Sequence, residues 1–495
     1  MELTKNFDVR NERNLTMLVD FYELTMGNGY LKNGVGDKIA YFDMFFRRIP
    51  DEGGYCIMAG VMQLIEYLSS LKFTDNDIEY LKSKKSFSDE FLDYLRNFKF
   101  SCDVWAIPEG NPVFPNEPLV TVRGPAIQAQ FVETMILLTI NHQTLIATKS
   151  NRICRAAAGR PVMEFGSRRA QGYDGAIYGS RAAVIGGCSA TACTISEEMF
   201  GIPAVGTMAH SWVQLFDSEY EAFKAWATAY PEDCLLLVDT YNVLKSGLPN
   251  AIRVFNEFLK PQGIRPIGIR IDSGDITYLS KKCREILDAA GYEDAKITIS
   301  NSLDEHIITD VLVQGACIDS FGVGERLITA KSEPVFGGVY KLSAIEENNI
   351  IKPKIKISEN EEKITNPGFK KIYRIFDKTT DKAIADLITL NEEVIDENLT
   401  LEIFDPTYTW KKKKLKNYYV KDLMVQIFKN GKAIYESPSV SEIKEFAKTE
   451  TDKLWPEVLR LENPHTYYVD LSKKLWDLKQ SLLHSYSEIY EEQGE

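Results

Sequence analysis

Gly268-Ile269-Arg270-Ile271-Asp272-Ser273-Gly274-Asp275 is an apolar run of strand character that stops at a cluster of charged and small residues. The period then changes: Ile276, Leu279, Cys283, Ile286, Leu287 and Ala290 recur at helical spacing and stop at Gly291. A strand therefore feeds a helix, with the chemistry-bearing residues at the strand's carboxyl end. The same order recurs on both sides, in Glu164-Phe165-Gly166-Ser167-Arg168-Arg169, Gly206-Thr207-Met208-Ala209-His210-Ser211, Val238-Asp239-Thr240 and Phe321-Gly322-Val323-Gly324-Glu325-Arg326. Run ends fall near Gly166, Gly187, Thr207, Asp239, Asp272, Asn301 and Gly324, spaced by roughly 20 to 30 residues, which suits strand-helix units in a parallel sheet or barrel. Tyr220, Phe223, Ala227 and Tyr230 mark another covering helix before Pro231. Seven run ends predict an irregular, incomplete α/β barrel over residues 146–345. Sites in such folds form outside the carboxyl ends of the strands.

The remaining chain is patterned differently. Residues 1–145 read as a mixed α+β domain, helical over Val61 to Tyr94 and, over Val104 to Ala126, made of short strands punctuated by Pro108, Pro112, Pro115, Pro118 and Pro125. Residues 346–495 read as a C-terminal extension, β-leaning to about position 435 and helical from Val440 to Glu491. A chain of 495 residues has ample length for two or three domains and a large core. Its net charge of −13 argues against nucleic acid or anionic membrane as partner, because phosphate neutralisation needs a basic face. The only basic block, Lys411 to Lys414, reads as a solvated loop. The eight cysteines lack C-x-x-C pairs and neighbouring histidines, which fits reduced, packed thiols and a cytoplasmic setting. The N-terminus carries no signal-type run, and the longest apolar candidate, Met135 to Thr148, is broken by Asn141-His142-Gln143, so a soluble protein is expected.

Taken together, these strings resemble the nicotinate phosphoribosyltransferase family. The resemblance is carried by Asp20-Phe21-Tyr22-Glu23-Leu24-Thr25-Met26, Phe42-Asp43-Met44-Phe45-Phe46-Arg47, Phe165-Gly166-Ser167-Arg168-Arg169-Ala170, Gly206-Thr207 with Ala209-His210, Arg270 to Asp275, Thr329 and Tyr340-Lys341-Leu342. It covers the first 345 residues; beyond 346 little is similar. The resemblance implies a type II phosphoribosyltransferase in NAD salvage, with its site completed by the second subunit of a homodimer. The family joins nicotinate to phosphoribosyl pyrophosphate, with Mg²⁺, and couples the step to ATP hydrolysis. Such a reaction develops positive charge on ribose and negative charge on the leaving pyrophosphate, so fixed cations and backbone donors matter more than a base.

Residue by residue, His210 matches the family's phosphorylated histidine, and Asp239 is the expected acceptor that orients its ring. Phe165 and Tyr22 match the pair that sandwiches the pyridine, Tyr22 reaching in from the other subunit. Thr207 belongs to the same nicotinate site. Arg270 matches the position near the pyridine carboxylate, and Arg168 is a candidate for phosphate, since guanidinium grips either anion in bidentate geometry. Asp272, Ser273 and Gly274 are expected on ribose or phosphate, with Asp272 and Asp275 as magnesium candidates, Asp275 equally suiting a helix N-cap. Gly322 and Gly324 can offer backbone N–H groups to phosphate, and Asn301, with Ser302, suits a ribose or phosphate contact or a plain turn. Glu325 departs from the family, where a small hydroxyl residue often follows the second glycine, so it pairs with Arg326 or leaves phosphate to the backbone. Arg169 reads as a structural ion pair, and Lys149, Arg152 and Arg155 as a solvated helix face rather than an ATP-phosphate site.

Four rival readings carry distinct signatures. A nicotinamide enzyme shares the histidine, the aromatic pair and the Arg-x-Asp-Ser-Gly string, whereas a quinolinate enzyme needs more basic residues around the ring. A non-catalytic nicotinate-binding protein of the same fold is disfavoured by the joint presence of His210, Arg270 and Asp272. An unrelated sugar-phosphate barrel enzyme needs a Schiff-base lysine at a strand end, and none of these strings supplies one.

Overall fold

The computed structural model describes residues 14–360 and 363–492. The chain divides into two compact units, one of residues 1–142, 335–438 and 449–495, the other of residues 143–334 and 439–448.

The second unit is built on six parallel strands in the order Ala190–Thr191, Val162–Glu164, Ser320–Val323, Lys296–Asn301, Gly268–Ile271, Leu235–Leu237. Within this sheet the strand Val162–Glu164 pairs with Ser320–Val323, the last strand of the unit, Val162 standing opposite Phe321. A seventh segment adds one parallel bridge, Thr191 to Ala204, beside the edge strand. Leu235–Leu237 forms the other edge, and beyond its carboxyl end Thr240 meets His210.

Most expected run ends are strand ends. Gly187 is not: it follows the helix Gly172–Ile185, adopts φ 130°, and precedes the short strand Ala190–Thr191. The run Ala182 to Ile185 looked strand-like because it is buried on all sides, and periodicity cannot separate a buried helix end from a strand. The expected helices are present as Glu219–Ala229 and Ile276–Ala289, the latter stopped at Gly291 with φ 82°.

Close helix-to-strand packing depends on glycine in one place above others. A Cβ at Gly247 would stand 1.9 Å from the Val238 carbonyl oxygen, so the helical stretch from Val243 can lie directly on the strand end that carries Asp239.

The first unit holds a seven-stranded antiparallel sheet in the order Ile350–Pro353, Val339–Glu347, Ile39–Phe45, Val120–Pro125, Asp103–Ala106, Val425–Lys429, Lys432–Ala433. A mixed sheet of Tyr418–Asp422, Lys370–Asp377, Ala383–Leu390 and Val469–Leu471 belongs to the same unit. Residues beyond 346 thus share a sheet with the N-terminal region, because Ile350–Pro353 extends it beside Val339–Glu347 and Val425–Lys429 pairs with Asp103–Ala106. The basic block is no loop: Lys412–Leu415 is a strand paired with Leu401–Phe404, its lysines exposed. All eight cysteines are free thiols, and among the described residues no helix is long and apolar enough to cross a membrane.

Candidate active site

The carboxyl ends of the parallel strands gather most of the expected residues of the second unit. Arg270 closes this set. Its Nε donates to Ser300 Oγ at 2.8 Å, Nη1 to Thr207 Oγ1 at 2.9 Å and Nη2 to Asp272 Oδ1 at 3.2 Å. A guanidinium carries five N–H groups, so two remain for a ligand. The arginine side chain is only 15 % exposed, which makes those two donors strong toward an anion that excludes water.

The Asp239 side chain is buried beyond the end of Leu235–Leu237. Its Oδ2 accepts from the Asp272 backbone N–H at 3.1 Å and from Ser273 Oγ at 2.5 Å, which fixes the Asp272-Ser273-Gly274 turn. Gly274 takes φ 88° there, a conformation that strains any residue with a Cβ. The other Asp239 oxygen, Oδ1, is buried without a hydrogen-bond partner among the described residues and lies 4.0 Å from His210 Nε2. Asp272 Oδ2 stands 3.9 Å from the same nitrogen. His210 Nδ1 lies 3.2 Å from Thr240 Oγ1. The ring therefore has two carboxylates beyond hydrogen-bond length on one nitrogen and a hydroxyl within it on the other. Thr240, read only as a neighbour of Asp239 in the sequence, makes the direct contact; its adjacency to Asp239 at a strand end was the available signal.

Phe165 stands half-buried at the end of Val162–Glu164, with the Arg270 guanidinium 5.8 Å from its ring centre. Gly322 permits this position, since a Cβ there would approach the ring to 2.5 Å. Gly324 likewise lies under the Phe165 carbonyl, 3.1 Å from where its Cβ would be. Both glycines thus have a packing duty in addition to the phosphate role expected of them. Beneath Phe165, the buried Glu164 carboxylate accepts from the Gly166 N–H, from Ser180 at 3.0 Å and from Thr191 at 2.8 Å, while burial pushes its pKa up. Arg168 is exposed on the short turn Ser167–Arg169 and pairs with nothing among the described residues.

Several sequence expectations resolve differently. Asp275 caps the helix Ile276–Ala289, accepting from the Tyr278 N–H at 2.9 Å. Glu325 pairs with Lys331 at 2.7 Å and approaches Arg169 at 3.9 Å, while Arg326 pairs with Asp304. Lys149 and Arg152 are no solvated face: both are buried and bind Glu305, at 2.8 and 2.9 Å. Asn301 holds φ 133° at the end of Lys296–Asn301, and its own Oδ1 accepts from the Ser302 N–H at 2.7 Å. A non-glycine residue there costs roughly 1–3 kcal/mol, a strain that recurs at functional turns. Ser300, which bridges Arg270 and Asp272, escaped notice because a serine next to Asn301 has no distinguishing pattern of its own. Tyr22 belongs to the first unit, on the helix Phe21–Lys32, and is 41 % exposed.

Among the described residues no preformed magnesium site accompanies this cluster. Among the described residues no group of three potential ligands converges, Asp275 is used as a cap, and Asp272 Oδ1 is engaged by Ser300 and Arg270.

A parallel sheet whose strand ends carry a largely buried arginine, a histidine near two carboxylates and a half-buried phenylalanine defines an α/β protein with a candidate strand-end site. The chain belongs to the nicotinate phosphoribosyltransferase family. Residues 17–141 match the nicotinate phosphoribosyltransferase N-terminal domain, and residues 369–479 match the C-terminal domain of the same family. The likeness thus extends past the 345 residues over which motifs alone carry it. It is 44 % identical to the nicotinate phosphoribosyltransferase of Bacillus subtilis, covering 97 % of this chain and 98 % of that one. It is 30 % identical to the human protein of that name, covering 94 % and 96 %. The crystal structure of human nicotinic acid phosphoribosyltransferase superposes with a TM-score of 0.83 at 28 % identity, over 94 % of this chain and all of the other.

Proposed function

We propose that the protein transfers the phosphoribosyl group of phosphoribosyl pyrophosphate to nicotinate, forming nicotinate mononucleotide and pyrophosphate for NAD synthesis. The observation that carries the reading is Arg270, with three N–H groups fixed by Ser300, Thr207 and Asp272, two without a partner among the described residues, and its guanidinium 5.8 Å from the Phe165 ring centre. That arrangement suits a planar ring bearing a carboxylate better than one bearing an amide. The pyridine nitrogen attacks the ribose anomeric carbon as its bond to pyrophosphate breaks. Arg168, the Asp272-Ser273-Gly274 turn, Asn301 and the backbone at Gly322 and Gly324 are the proposed partners of the ribose and phosphates. Magnesium, if held, would offset the charge of the leaving pyrophosphate, with Asp272 as the candidate side chain of this cluster.

ATP coupling rests on His210. Two carboxylates near Nε2 favour a proton on that nitrogen, which leaves the Nδ1 lone pair to attack the γ-phosphorus. The N–P bond forms as the bond from phosphorus to ADP oxygen breaks, Nε2 keeps its proton, and Thr240 yields its hydrogen bond to Nδ1. The family resemblance further supports a homodimer in which Tyr22 of one chain covers the pyridine bound by the other.

The deciding assay follows product from phosphoribosyl pyrophosphate, Mg²⁺ and either nicotinate or nicotinamide, with and without ATP, for wild type and His210→Ala. Nicotinate mononucleotide formed faster with ATP, with the stimulation lost in the variant, is the expected result. Product from nicotinamide alone reassigns the substrate, and an unchanged ATP stimulation in His210→Ala removes the phosphohistidine.

A further inference from the structure

The first unit contains a cavity of about 300 Å³ whose lining carries three charged groups, Asp43, Lys370 and Lys479. Two of them cancel. Asp43 Oδ2 and Lys370 Nζ form an ion pair of 2.7 Å with side chains 5 % and 2 % exposed. The pair is complete: Thr121 donates to Asp43 Oδ1 at 2.7 Å, and Lys370 also donates to the Gly368 carbonyl at 2.6 Å.

Lys479 is left as the excess charge. It stands on the helix Lys473–Glu492, and its Nζ donates to Asn366 Oδ1 at 2.9 Å. No carboxylate pairs with it among the described residues. An ammonium has three donors, so two remain, and a partly buried cation without a counter-charge is costly to keep. Burial, and then repulsion from Lys370, lower its pKa. The rest of the wall divides into neutral polar groups, including Asn116 and Gln480, and an apolar side with Phe45, Ile388 and Leu471. The size lies at the lower bound of small-molecule sites, roughly 300–1,000 Å³.

We propose that this cavity is a binding site for a small organic anion, a carboxylate or phosphate monoester on a compact apolar body, with Lys479 as its counter-charge. The apolar side holds the body and the neutral amides complete the hydrogen bonds of the head group. The site owes nothing to the strand-end residues of the second unit, and the proposal stands whether or not that unit acts on nicotinate.

The test is calorimetric titration of the full-length protein with benzoate, phenyl phosphate and inorganic phosphate, in wild type, Lys479→Met and Arg270→Ala. Binding of benzoate or phenyl phosphate that survives in Arg270→Ala and weakens about tenfold or more in Lys479→Met is expected, as for loss of one charge-assisted contact. Absence of binding of both in wild type, or binding lost in Arg270→Ala and unchanged in Lys479→Met, overturns the proposal. Inorganic phosphate bound as tightly as phenyl phosphate overturns the apolar-body assignment. Should Lys479→Met not fold, the rate of Lys479 acetylation in wild type, read by mass spectrometry, serves instead: saturating benzoate or phenyl phosphate slows it if the site is real, and an unchanged rate sinks it.

Discussion

Arg270 shows how one side chain is made specific by its neighbours. Ser300, Thr207 and Asp272 hold three of its donors, so the plane of the guanidinium is fixed before a ligand arrives. Lysine cannot reproduce that fork. Arg270→Lys is therefore expected to lower kcat/KM for nicotinate by about 10- to 100-fold, the loss of a charge-assisted contact of roughly 1.5–3 kcal/mol, with most of it in KM. Steady-state kinetics at varied nicotinate check this; an unchanged KM would place the carboxylate elsewhere. Glu23 offers a different kind of test. Burial pushes its pKa up to about 8, although Thr134 donates to its Oε1 through the backbone N–H at 3.0 Å and through the hydroxyl at 2.6 Å. The folded state thus keeps a proton that the unfolded chain releases near its ordinary value of 4.5. The resulting stabilisation is full below about 4.5 and is lost as pH rises through about 8. Glu23→Gln, which keeps the acceptor and cannot ionise, should show a smaller fall in Tm than wild type between pH 5 and pH 9. Equal slopes in the two proteins would mean that Glu23 titrates normally.

The strand ends work because helices come very near to them. At Gly247 the backbone of the covering helix approaches Val238 so closely that a methyl group would stand 1.9 Å from its carbonyl oxygen. Neither partner there is a flexible side chain. Gly247→Ala should destabilise the fold by about 1–3 kcal/mol, as overpacking does, and should also reduce activity, because Val238 immediately precedes Asp239. Chemical denaturation together with kcat would register both effects; wild-type stability in the variant would show that the helix can move away at no cost. The period change from strand to helix at Asp275 was legible in sequence because apolar spacing and an N-cap agree. Gly187 misled because the buried end of the helix Gly172–Ile185 has no polar face to reveal its period.

At the level of the assembled protein, the homodimer proposal makes a sharp expectation. Tyr22→Ala and His210→Ala chains should each be impaired, and co-expression should restore ATP-stimulated activity through mixed dimers that hold one intact site. Activity no greater than the average of the two parents would show that each chain supplies its own Tyr22. The sequence by itself determined the strand-helix alternation, the placing of His210, Asp239 and Asp272 beyond apolar runs, and the family, because these depend on local period and on short strings. Only the tertiary structure decided that Thr240 rather than Asp239 lies within hydrogen-bond length of His210, and that Lys149 and Arg152 are buried on Glu305. It likewise decided that residues beyond 346 share a sheet with Ile39–Phe45 and Asp103–Ala106, and that Lys479 faces a cavity without a counter-charge. The physical reason is distance along the chain: periodicity reports which face of an element is apolar, whereas partners 30 to more than 300 residues apart, such as His210 with Thr240 or Asn430 with Asp103, are chosen by packing.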